Sequence, residues 1–383
     1  MPDTPRHRDS VPEYAHLGGR DVVQTGCRIL ILLTAATLLL PGEGGCCTTF
    51  CFQHEGSWIF GRNLDWSVEG GLIFANPRGL TKTALGQANP ASWTARYGSV
   101  TFNQYGREFP MGGMNEAGLI VECMWLAGTE YPEPDDRPSV SETQWIQYQL
   151  DTSASVEEVI ASEKDLRIGT RNSSPLHFLV CDRYGHCIAI EYLRGERVLH
   201  RGRDLPLTAL TNHTYEEART FWEQTRGQAS DAAFAEANSS LKRFHRAARG
   251  VSDYDPESAI SPVDYAFSLL GSVAVGRTQW SIVYHVAKET IFFRTQSQPE
   301  IRCVDVGLFE FTCDQPVPML DMVLAGKGNT TGEFVGYTYD ANLRMIRRAY
   351  RQTDFLREVP DDMLEVLARY PESTVCSSSS DSR

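Results

Sequence analysis

Short apolar runs broken by Gly, Pro and Asn characterise the chain between residues 47 and 126. The clearest of these runs cover residues 48–53, 58–64, 72–75 and 99–102. Runs of this length that are bounded by turn-forming residues are typical of β-strands. We therefore predict that this part of the chain forms a layered β-sheet.

Helical and strand-like patterns alternate through the rest of the chain. Amphipathic helices are predicted at 143–150 and 156–162, the second with Glu157 and Glu158 in its first turn, where acidic side chains favour a helix start. The other predicted segments are a β-hairpin at 175–181 and 187–192, β-structure at 198–211, helices at 215–222 and 232–249, strands at 279–285 and 290–294, and helices at 340–350 and 361–369.

This order of strands, helices, strands and helices is typical of an α+β domain built in layers. No internal repeat or linker-like stretch divides the chain, so we predict one domain over residues 47–370. The last residues, 371–383, contain Cys376 followed by four serines and are predicted to be a disordered tail.

The N-terminal segment has the features of a secretory signal. Twelve apolar-rich residues, 29–40, follow Arg28 and fall short of the roughly 18 that span a bilayer. We expect cleavage between Cys46 and Cys47, which removes residues 1–46. The mature protein would then be exported, either to the periplasm or out of the cell, and would have no stable membrane span. The stretch 1–27 is longer than a usual n-region, so a translation start further downstream stays open.

Charge and size exclude several classes of partner. Removing residues 1–46 leaves 337 of 383 residues, enough for a substantial core. The net charge of −13 and the absence of Lys/Arg blocks longer than a pair argue against a nucleic-acid partner. The sequence has no His-Glu-x-x-His motif, no Cys-x-x-Cys pair and no EF-hand loop, so no metal or cofactor is expected. The sequence leaves open whether the protein forms a homo-oligomer.

The ten cysteines are too scattered for a dense disulfide framework. Cys181 and Cys187 flank a predicted turn, and Cys303 and Cys313 lie on adjacent strand-like runs. Each pair is compatible with a bridge across a hairpin, and equally with buried free thiols.

Cys47 is the first candidate for chemistry, because cleavage before it would place a thiol and a free amine on one residue. An α-amine with a pKa of about 7.7–8.0 can accept a proton from a thiol of about 8.5. In an antiparallel hairpin that starts at Cys47, Arg62 and Asp65 return beside it. A guanidinium favours the thiolate, and a carboxylate orients the ammonium. Taken alone, an Arg and an Asp three residues apart are more typical of a surface salt bridge.

Several motifs of this chain, in this order, resemble the choloylglycine hydrolase family, the linear amide C–N hydrolases that include bile salt hydrolase and penicillin V acylase. They begin at Cys47, Gly61, Gly113, Leu210, Lys242 and Thr278, and read CTTF, GRNLDW, GMNEAGL, LTNH, KRFHRA and TQWS.

The resemblance implies the four-layer αββα sandwich of N-terminal nucleophile hydrolases, with two antiparallel sheets between helical layers. It also implies that Cys47 is the nucleophile and, through its own amine, the base. Arg62 and Asp65 would hold Cys47, Asn212 would donate its side-chain amide to the oxyanion, and Arg243 would complete the polar cluster. The implied substrate is a small N-acyl amide such as a conjugated bile salt, penicillin V or an N-acyl homoserine lactone.

Residues in three of the resembling motifs have simpler interpretations. Asn212 begins the glycosylation sequon Asn-His-Thr, and a glycan there would exclude an oxyanion role. Arg243 lies in a basic helical run that is typical of a solvated face. Asn115 and Gly118 are interpreted as a tight turn between strands.

Trp125 stands where bile salt and penicillin enzymes tend to carry Asn or Tyr. The resemblance assigns its backbone N–H to the oxyanion hole, a role that any residue except proline can fill. Its side chain would instead shape the pocket. Further aromatic residues for a pocket are Phe60, Trp66, Phe74 and Tyr131, although core packing is the more common use of such residues.

Two other classes of function remain open. A lipid-anchored surface binding protein would carry its lipid on Cys46, although Glu43 occupies the position where a lipobox requires an aliphatic residue. A cysteine peptidase would need a separate base, and His54, His177, His213 and His245 are candidates. The sequence around Cys47 lacks the Cys-Gly-x-Cys-aromatic signature of papain-like enzymes.

Overall fold

The computed structural model describes residues 46–170, 173–227 and 238–377. The predicted signal peptide, apart from Cys46, lies outside the described residues, as do residues 232–237 of one predicted helix and residues 378–383 of the predicted tail. Across the three described ranges, no helix has the length and apolar character needed to cross a membrane.

Strands make up most of the regular structure in the described ranges. The first group is β1 (Cys46–His54), β2 (Ser57–Asp65), β3 (Leu72–Asn76), β4 (Leu80–Thr83), β5 (Ser92–Thr94), β6 (Ser99–Asn103), β7 (Pro110–Asn115), β8 (Ile120–Trp125), β9 (Ser139–Val140) and β10 (Arg167–Ile168). The second group is β11 (Leu176–Cys181), β12 (Cys187–Leu193), β13 (Glu196–Arg201), β14 (Ala209–Leu210), β15 (Thr278–His285), β16 (Thr290–Thr295), β17 (Arg302–Asp305), β18 (Pro318–Asp321), β19 (Gly328–Asn329), β20 (Val335–Gly336) and β21 (Val375–Cys376).

The helices fall mainly in the middle and at the end of the described chain. They are α1 (Glu142–Thr152), α2 (Val156–Ala161), α3 (Tyr215–Thr225), α4 (Ser239–Ser252), α5 (Pro262–Ser272), α6 (Tyr339–Gln352) and α7 (Asp361–Arg369). Short 3-10 turns also occur, among them Gly202–Asp204 and Asp354–Leu356.

Two large, mostly antiparallel sheets face each other. The seven-stranded sheet has the order β14-β1-β2-β15-β16-β17-β19, and the nine-stranded sheet has the order β13-β12-β11-β8-β7-β6-β3-β18-β20. Their side chains meet between them: the ring of Phe102 on β6 lies 6.4 Å from that of Tyr284 on β15. Aromatic packing of this kind contributes to the apolar core between the sheets.

Helices cover the outer face of each sheet. α4 and α5 pack on β1 and β2, and α1 packs on β7 and β8. The Asn63 side chain of β2 donates to the Leu270 carbonyl of α5 at 2.8 Å, and Trp145 of α1 lies 4.5 Å from Phe178 of β11 between ring centroids. The layers are therefore helix, sheet, sheet and helix, which confirms the predicted α+β fold and its αββα sandwich.

The hairpin of β1 and β2 carries the first candidate residues. It is paired without interruption from Cys46 opposite Asp65 to His54 opposite Ser57. Its turn uses Glu55 and Gly56 with positive φ angles of 48° and 77°, as a two-residue hairpin turn requires. Both strands are largely buried on both faces because each face is covered, by helices on one side and by the second sheet on the other.

Two segments differ from the prediction. Residues 262–272 form α5, which the sequence interpretation did not contain, although Ser261 caps its first turn and Pro262 begins it. The predicted β-structure at 198–211 divides into β13 and β14, with the turn Gly202–Asp204 between them. β14 keeps only two residues, so the residues after it depend on side-chain contacts for their position.

The disulfides correct one of the cysteine alternatives. Cys181 and Cys187 are bridged, whereas Cys313 pairs with Cys376 and Cys303 is a free thiol. Cys376 lies in β21, which pairs with β4. The prediction of disorder from residue 371 onward was therefore wrong for residues 371–377, because strand pairing and a covalent bond hold a segment whose composition alone indicates disorder.

Replacing both Cys313 and Cys376 by Ser should lower the free energy of unfolding by about 2–4 kcal/mol, since the bridge restricts the unfolded chain across a long loop. The two cysteines are 63 residues apart in sequence. Chemical denaturation without reductant measures the change. Cys303→Ser, which removes an unbridged thiol, serves as the control, and equal unfolding free energies for all three proteins would contradict the prediction.

Candidate active site

Cys47 lies at the start of β1, where the two sheets approach each other. Its side chain is 3% exposed and lines a pocket. β2 places Leu64 directly opposite it, with Asp65 one residue further. The hairpin register predicted from the sequence thus brings Asp65 close to Cys47.

Asp65 is fully buried and contacts groups from two other elements. Its Oδ1 accepts a hydrogen bond of 2.5 Å from the Thr278 hydroxyl, and Arg243 Nη1 lies 3.9 Å from its Oδ2. Burial raises the pKa of Asp65 to about 6, although the Thr278 hydrogen bond and the charge of Arg243 act in the opposite direction. Asp65 is thus a strongly perturbed carboxyl beside the thiol.

Arg62 is buried, and its contacts lead to β8 rather than to the thiol. Its Nε lies 2.5 Å from Glu122 Oε2, and its Nη2 donates to the Cys123 carbonyl at 3.1 Å. The Tyr284 hydroxyl donates to the other Glu122 oxygen at 2.5 Å. Arg62 therefore acts on Cys47 as a nearby positive charge that lowers the pKa of the thiol.

Sequence reasoning missed Glu122, the partner of Arg62. A signal was present in Gly112 on the neighbouring strand, opposite Glu122 in the sheet register. A Cβ at Gly112 would lie 2.1 Å from a Glu122 carboxylate oxygen. The glycine leaves room for the carboxylate, a relation that sequence spacing alone does not indicate.

The Cys47 thiol is protonated at neutral pH in this chain, in which its nitrogen is a peptide N–H. Burial raises the pKa of the thiol to about 11, with Arg62 and Arg243 acting in the opposite direction. The charge of Asp65 adds to the rise, while a hydrogen bond from its backbone opposes it. The thiol needs a base to become a nucleophile.

Asn212 contacts Cys47 on one side and Trp125 on the other. Its Oδ1 accepts from the Cys47 backbone N–H at 2.9 Å and from Arg243 Nη2 at 2.7 Å. Its Nδ2 donates to the Trp125 carbonyl at 2.8 Å. A glycan would be attached to this same nitrogen, which faces the protein interior, so the geometry favours the site role over the sequon.

Arg243 is 2% exposed, so it does not belong to a solvated basic face. It donates to the Cys47 carbonyl and to the Thr48 hydroxyl at 2.8 Å. On the same helix, Arg246 and Arg249 are exposed. α4 therefore turns a single arginine inward, onto the backbone of the candidate nucleophile.

The turn predicted at Asn115 and Gly118 is confirmed. The Asn115 Oδ1 accepts from the backbone N–H groups of Ala117 and Leu119 at 3.1 and 2.9 Å. Gly118 has a φ of 83°, which favours glycine. The turn joins β7 to β8, the strand that ends at Trp125.

The pocket beside Cys47 encloses about 850 Å³, part of it open to solvent. Trp66 and Trp125, both predicted for the pocket, line it. Phe60 and Phe74 instead lie in the apolar cores, and the Tyr131 hydroxyl donates to the Ser174 carbonyl at 2.8 Å. Trp66 and Trp125 are thus the predicted aromatic residues that form the wall.

The C-terminal segment forms the opposite wall, which the sequence did not predict. Its contribution is Tyr350, Phe355, Leu356 and Leu367. The Phe355 ring is 51% exposed and lies 6.5 Å from Trp66 and 5.9 Å from Trp125 between ring centroids. Three aromatic rings therefore meet at the pocket.

A chain of hydrogen bonds fixes this C-terminal wall. The Trp66 indole N–H donates to the Tyr105 hydroxyl at 2.5 Å, and that hydroxyl lies 2.8 Å from the Thr353 hydroxyl. Thr353 is buried and immediately precedes the turn that carries Phe355. Side chains thus tie the wall to Trp66, the residue that follows β2.

Three of the four candidate histidines contact groups other than Cys47. His54 bonds to the Tyr254 hydroxyl at 2.6 Å, and His177 bonds to Glu191 and to the Thr211 carbonyl. His213 is half-buried, and its pKa is lowered by burial. His245 packs against the Trp222 ring. These contacts give no support to a cysteine peptidase with a separate histidine base.

The model of the linear amide C–N hydrolases of the choloylglycine hydrolase family matches residues 47–294. The chain belongs to this family. It is 26% identical over 313 residues to penicillin V acylase of Pectobacterium atrosepticum, across 69% of this chain and 82% of that protein.

Solved structures show the same fold. Penicillin V acylase from Agrobacterium tumefaciens is 26% identical and has a TM-score of 0.67, covering 76% of this chain and 98% of that chain. A mutant of conjugated bile acid hydrolase from Clostridium perfringens is 18% identical with a TM-score of 0.60, covering 74% and 98%. The chain therefore has the fold of N-terminal nucleophile hydrolases, as the resemblance implied.

Asp65→Asn should change how stability depends on pH. Because burial raises the pKa of Asp65 from 3.8 to about 6, its stabilising contribution is complete below pH 3.8 and is lost as the pH rises through 6. The asparagine does not titrate. The free energy of unfolding of wild type relative to the variant should therefore fall by up to about 3 kcal/mol between pH 4 and 7.

Urea denaturation at a series of pH values measures this difference. Asp253→Asn is the matched control, because Asp253 is exposed on the surface end of α4. A pH-independent difference for Asp65→Asn would show that its carboxyl is not perturbed by burial.

Proposed function

We propose that the protein hydrolyses a linear, non-peptide amide by means of Cys47 as an N-terminal nucleophile, after residues 1–46 are removed during export. The observation that carries the proposal is the contact of the Cys47 nitrogen with Asn212 Oδ1 at 2.9 Å. Once freed, that nitrogen would be an amine already held beside its own thiol. The family match that begins at residue 47 supports the same boundary.

The first half of the reaction forms a thioester. The α-amine takes the proton of the Cys47 thiol, and the thiolate attacks the carbonyl carbon of the amide. The side-chain amide of Asn212 and the backbone N–H of Trp125 stabilise the oxyanion. When the tetrahedral intermediate collapses, the C–N bond breaks and the α-ammonium gives its proton to the leaving amine.

The second half returns the enzyme to its starting state. The α-amine takes a proton from water, and the resulting hydroxide attacks the thioester carbonyl. The C–S bond then breaks, the acid leaves, and the sulfur recovers its proton from the ammonium. Arg62 and Arg243 favour the thiolate at both stages because their positive charges lower the pKa of the thiol.

The pocket supports an N-acyl substrate with an apolar acyl group. Trp66, Trp125 and Phe355 provide three aromatic rings that line the pocket, and Leu64, Leu176 and Leu356 add aliphatic surface. The relatives named above act on penicillin V and on a conjugated bile acid, as their names state. We therefore propose small N-acyl amides as substrates, with penicillin V, conjugated bile salts and N-acyl homoserine lactones as the classes to screen.

Cys47→Ala should abolish hydrolysis in that screen, because the variant lacks the sulfur that forms the thioester. Product release from each substrate class, followed by chromatography, measures activity. Cys303→Ser, which removes a free thiol outside the pocket wall, should retain full activity. N-terminal sequencing of the active protein should begin at Cys47.

Two results would overturn this assignment. One is a Cys47→Ala variant that retains more than a tenth of wild-type turnover. The other is an active protein whose first residue is not Cys47, since a preceding residue or a lipid on Cys46 would block the amine.

Phe355→Ala should weaken the binding of aromatic acyl groups without affecting the fold, because the ring is half-exposed. An aromatic contact contributes about 0.5–1.5 kcal/mol, so kcat/KM for penicillin V should fall by about 2- to 12-fold. The value for an N-acyl homoserine lactone with a straight acyl chain should change less.

Steady-state kinetics on the two substrates measure the difference. Phe355→Leu is the matched variant, since it keeps an apolar side chain but removes the ring. Equal losses for both substrates in both variants would mean that Phe355 covers the pocket without recognising an aromatic group.

A further inference from the structure

His177 lies on β11 with both ring nitrogens facing hydrogen-bond acceptors. Its Nδ1 is 3.1 Å from Glu191 Oε1, and its Nε2 is 2.7 Å from the Thr211 carbonyl oxygen. The ring and the Glu191 carboxylate are both fully buried. Water therefore cannot substitute for either contact.

These two contacts restrict the protonation of the pair. The Thr211 carbonyl oxygen only accepts, so the single N–H of a neutral imidazole would face it, and Nδ1 would then bond to Glu191 only if that carboxyl carried a proton. If Glu191 is ionised, both hydrogen bonds require a ring with two protons. The site then contains a buried imidazolium–carboxylate pair.

The other contacts of Glu191 favour its ionised form. Its Oε2 lies 3.0 Å from His200 Nε2, and its Oε1 also accepts from the Tyr215 backbone N–H at 2.9 Å. Burial raises the pKa of Glu191, but the hydrogen bonds from His177 and His200 outweigh it and lower the pKa to about 2. A carboxylate with three donors is a stable partner for the imidazolium.

The pair fixes a part of the backbone that has no sheet partner of its own. β14 ends at Leu210, so Thr211 and Asn212 follow the strand as irregular chain. His177 holds the Thr211 carbonyl from one side. From the other side, Ser240 Oγ accepts from the Asn212 N–H at 2.9 Å. Asn212 is thus clamped between β11 and the start of α4.

The same strand also borders the other proposed oxyanion donor. In the sheet register, His177 lies opposite Met124, and Leu176 lies opposite Trp125. A displacement of Thr211 relative to β11 would therefore change the distance between Asn212 and Trp125.

We infer that His177, as an imidazolium paired with Glu191, is a positioning residue that holds Asn212 for the reaction proposed above. The inference deepens that function and rests on it for its kinetic consequences. The imidazolium itself rests only on the hydrogen-bond geometry. His177 acts through the Thr211 carbonyl, with no proton transferred to substrate.

The titratable groups around His177 come from three elements. They are Glu191 on β12, His200 on β13 and His213 in the segment after β14. Burial lowers the pKa of His213, and the charges of Arg243 and His177 contribute to the lowering, while Glu217 opposes it. A neutral His213 adds no positive charge beside His177, whose ring bonds both to Glu191 and to the Thr211 carbonyl.

The kinetic test uses Glu191→Gln and His177→Gln. Glu191→Gln keeps the shape of the side chain but removes its charge. His177→Gln has only one nitrogen that donates, so it cannot reproduce both contacts of the imidazolium ring. In each variant kcat should fall by about 10- to 100-fold, because a displacement of about 1 Å at a reacting group costs up to about 10²-fold. KM should change little. His200→Gln, which keeps an N–H donor towards the other Glu191 oxygen, should retain wild-type kcat.

A second readout requires no turnover. NMR of the protein labelled with ¹⁵N-histidine should show two protonated ring nitrogens for His177 at pH 7, with the resonance assigned from its loss in His177→Gln. In Glu191→Gln the ring should carry one proton. Cys47→Ala should give the same spectrum as wild type, so this measurement stands even if the hydrolase assignment fails.

The inference is overturned by a singly protonated His177 in the wild-type protein. It is also overturned if an active enzyme keeps wild-type kcat in both Glu191→Gln and His177→Gln. Where His177→Gln does not fold, Glu191→Gln and the spectrum of the wild type decide the question.

Discussion

One planar amide, the side chain of Asn212, sets the geometry of the candidate site. Its oxygen accepts from the Cys47 nitrogen and from Arg243, and its nitrogen donates to the Trp125 carbonyl. Cys47 belongs to the seven-stranded sheet and Trp125 to the nine-stranded sheet. Because a single rigid group bonds to both, the spacing of the two sheets at this point is fixed to within hydrogen-bonding distance. The proposed nucleophile and the proposed oxyanion donors therefore keep their relative positions as long as Asn212 does.

The site combines desolvation with paired charges. Burial alone would keep the Cys47 thiol protonated, and the nearby guanidinium groups of Arg62 and Arg243 oppose this. Arg62 stays in the interior because Glu122 and the Cys123 carbonyl compensate it. In so dry an environment a charge acts more strongly on its neighbour than in water, and perturbed groups of this kind are concentrated at functional sites. The cost of burying these charges is the reason that each has a defined partner.

The proposed reaction centre and one wall of the pocket come from different parts of the chain. The family match ends at residue 294, and Cys47, its charged neighbours and Asn212 all lie within it. Phe355 and the other residues of the C-terminal wall follow it. The Trp66–Tyr105–Thr353 hydrogen bonds and the pairing of β21 with β4 fasten this later segment to the earlier part of the chain. One wall of the pocket therefore lies outside the matched range, whereas the proposed reaction centre lies inside it.

The sequence by itself determined many of the longer strands, the layered α+β class and the family, because apolar periodicity and local motifs are properties of neighbouring residues. It also indicated that Asp65 lies near Cys47, since a hairpin register follows from strand length and turn. Glu122, His177 and Phe355 were decided only by the tertiary structure. Their roles depend on contacts between residues far apart in the chain, as between Arg62 and Glu122, and no local pattern encodes such distances. The same reason explains why the bond between Cys313 and Cys376, and the order it imposes on residues 371–377, could not be predicted from composition.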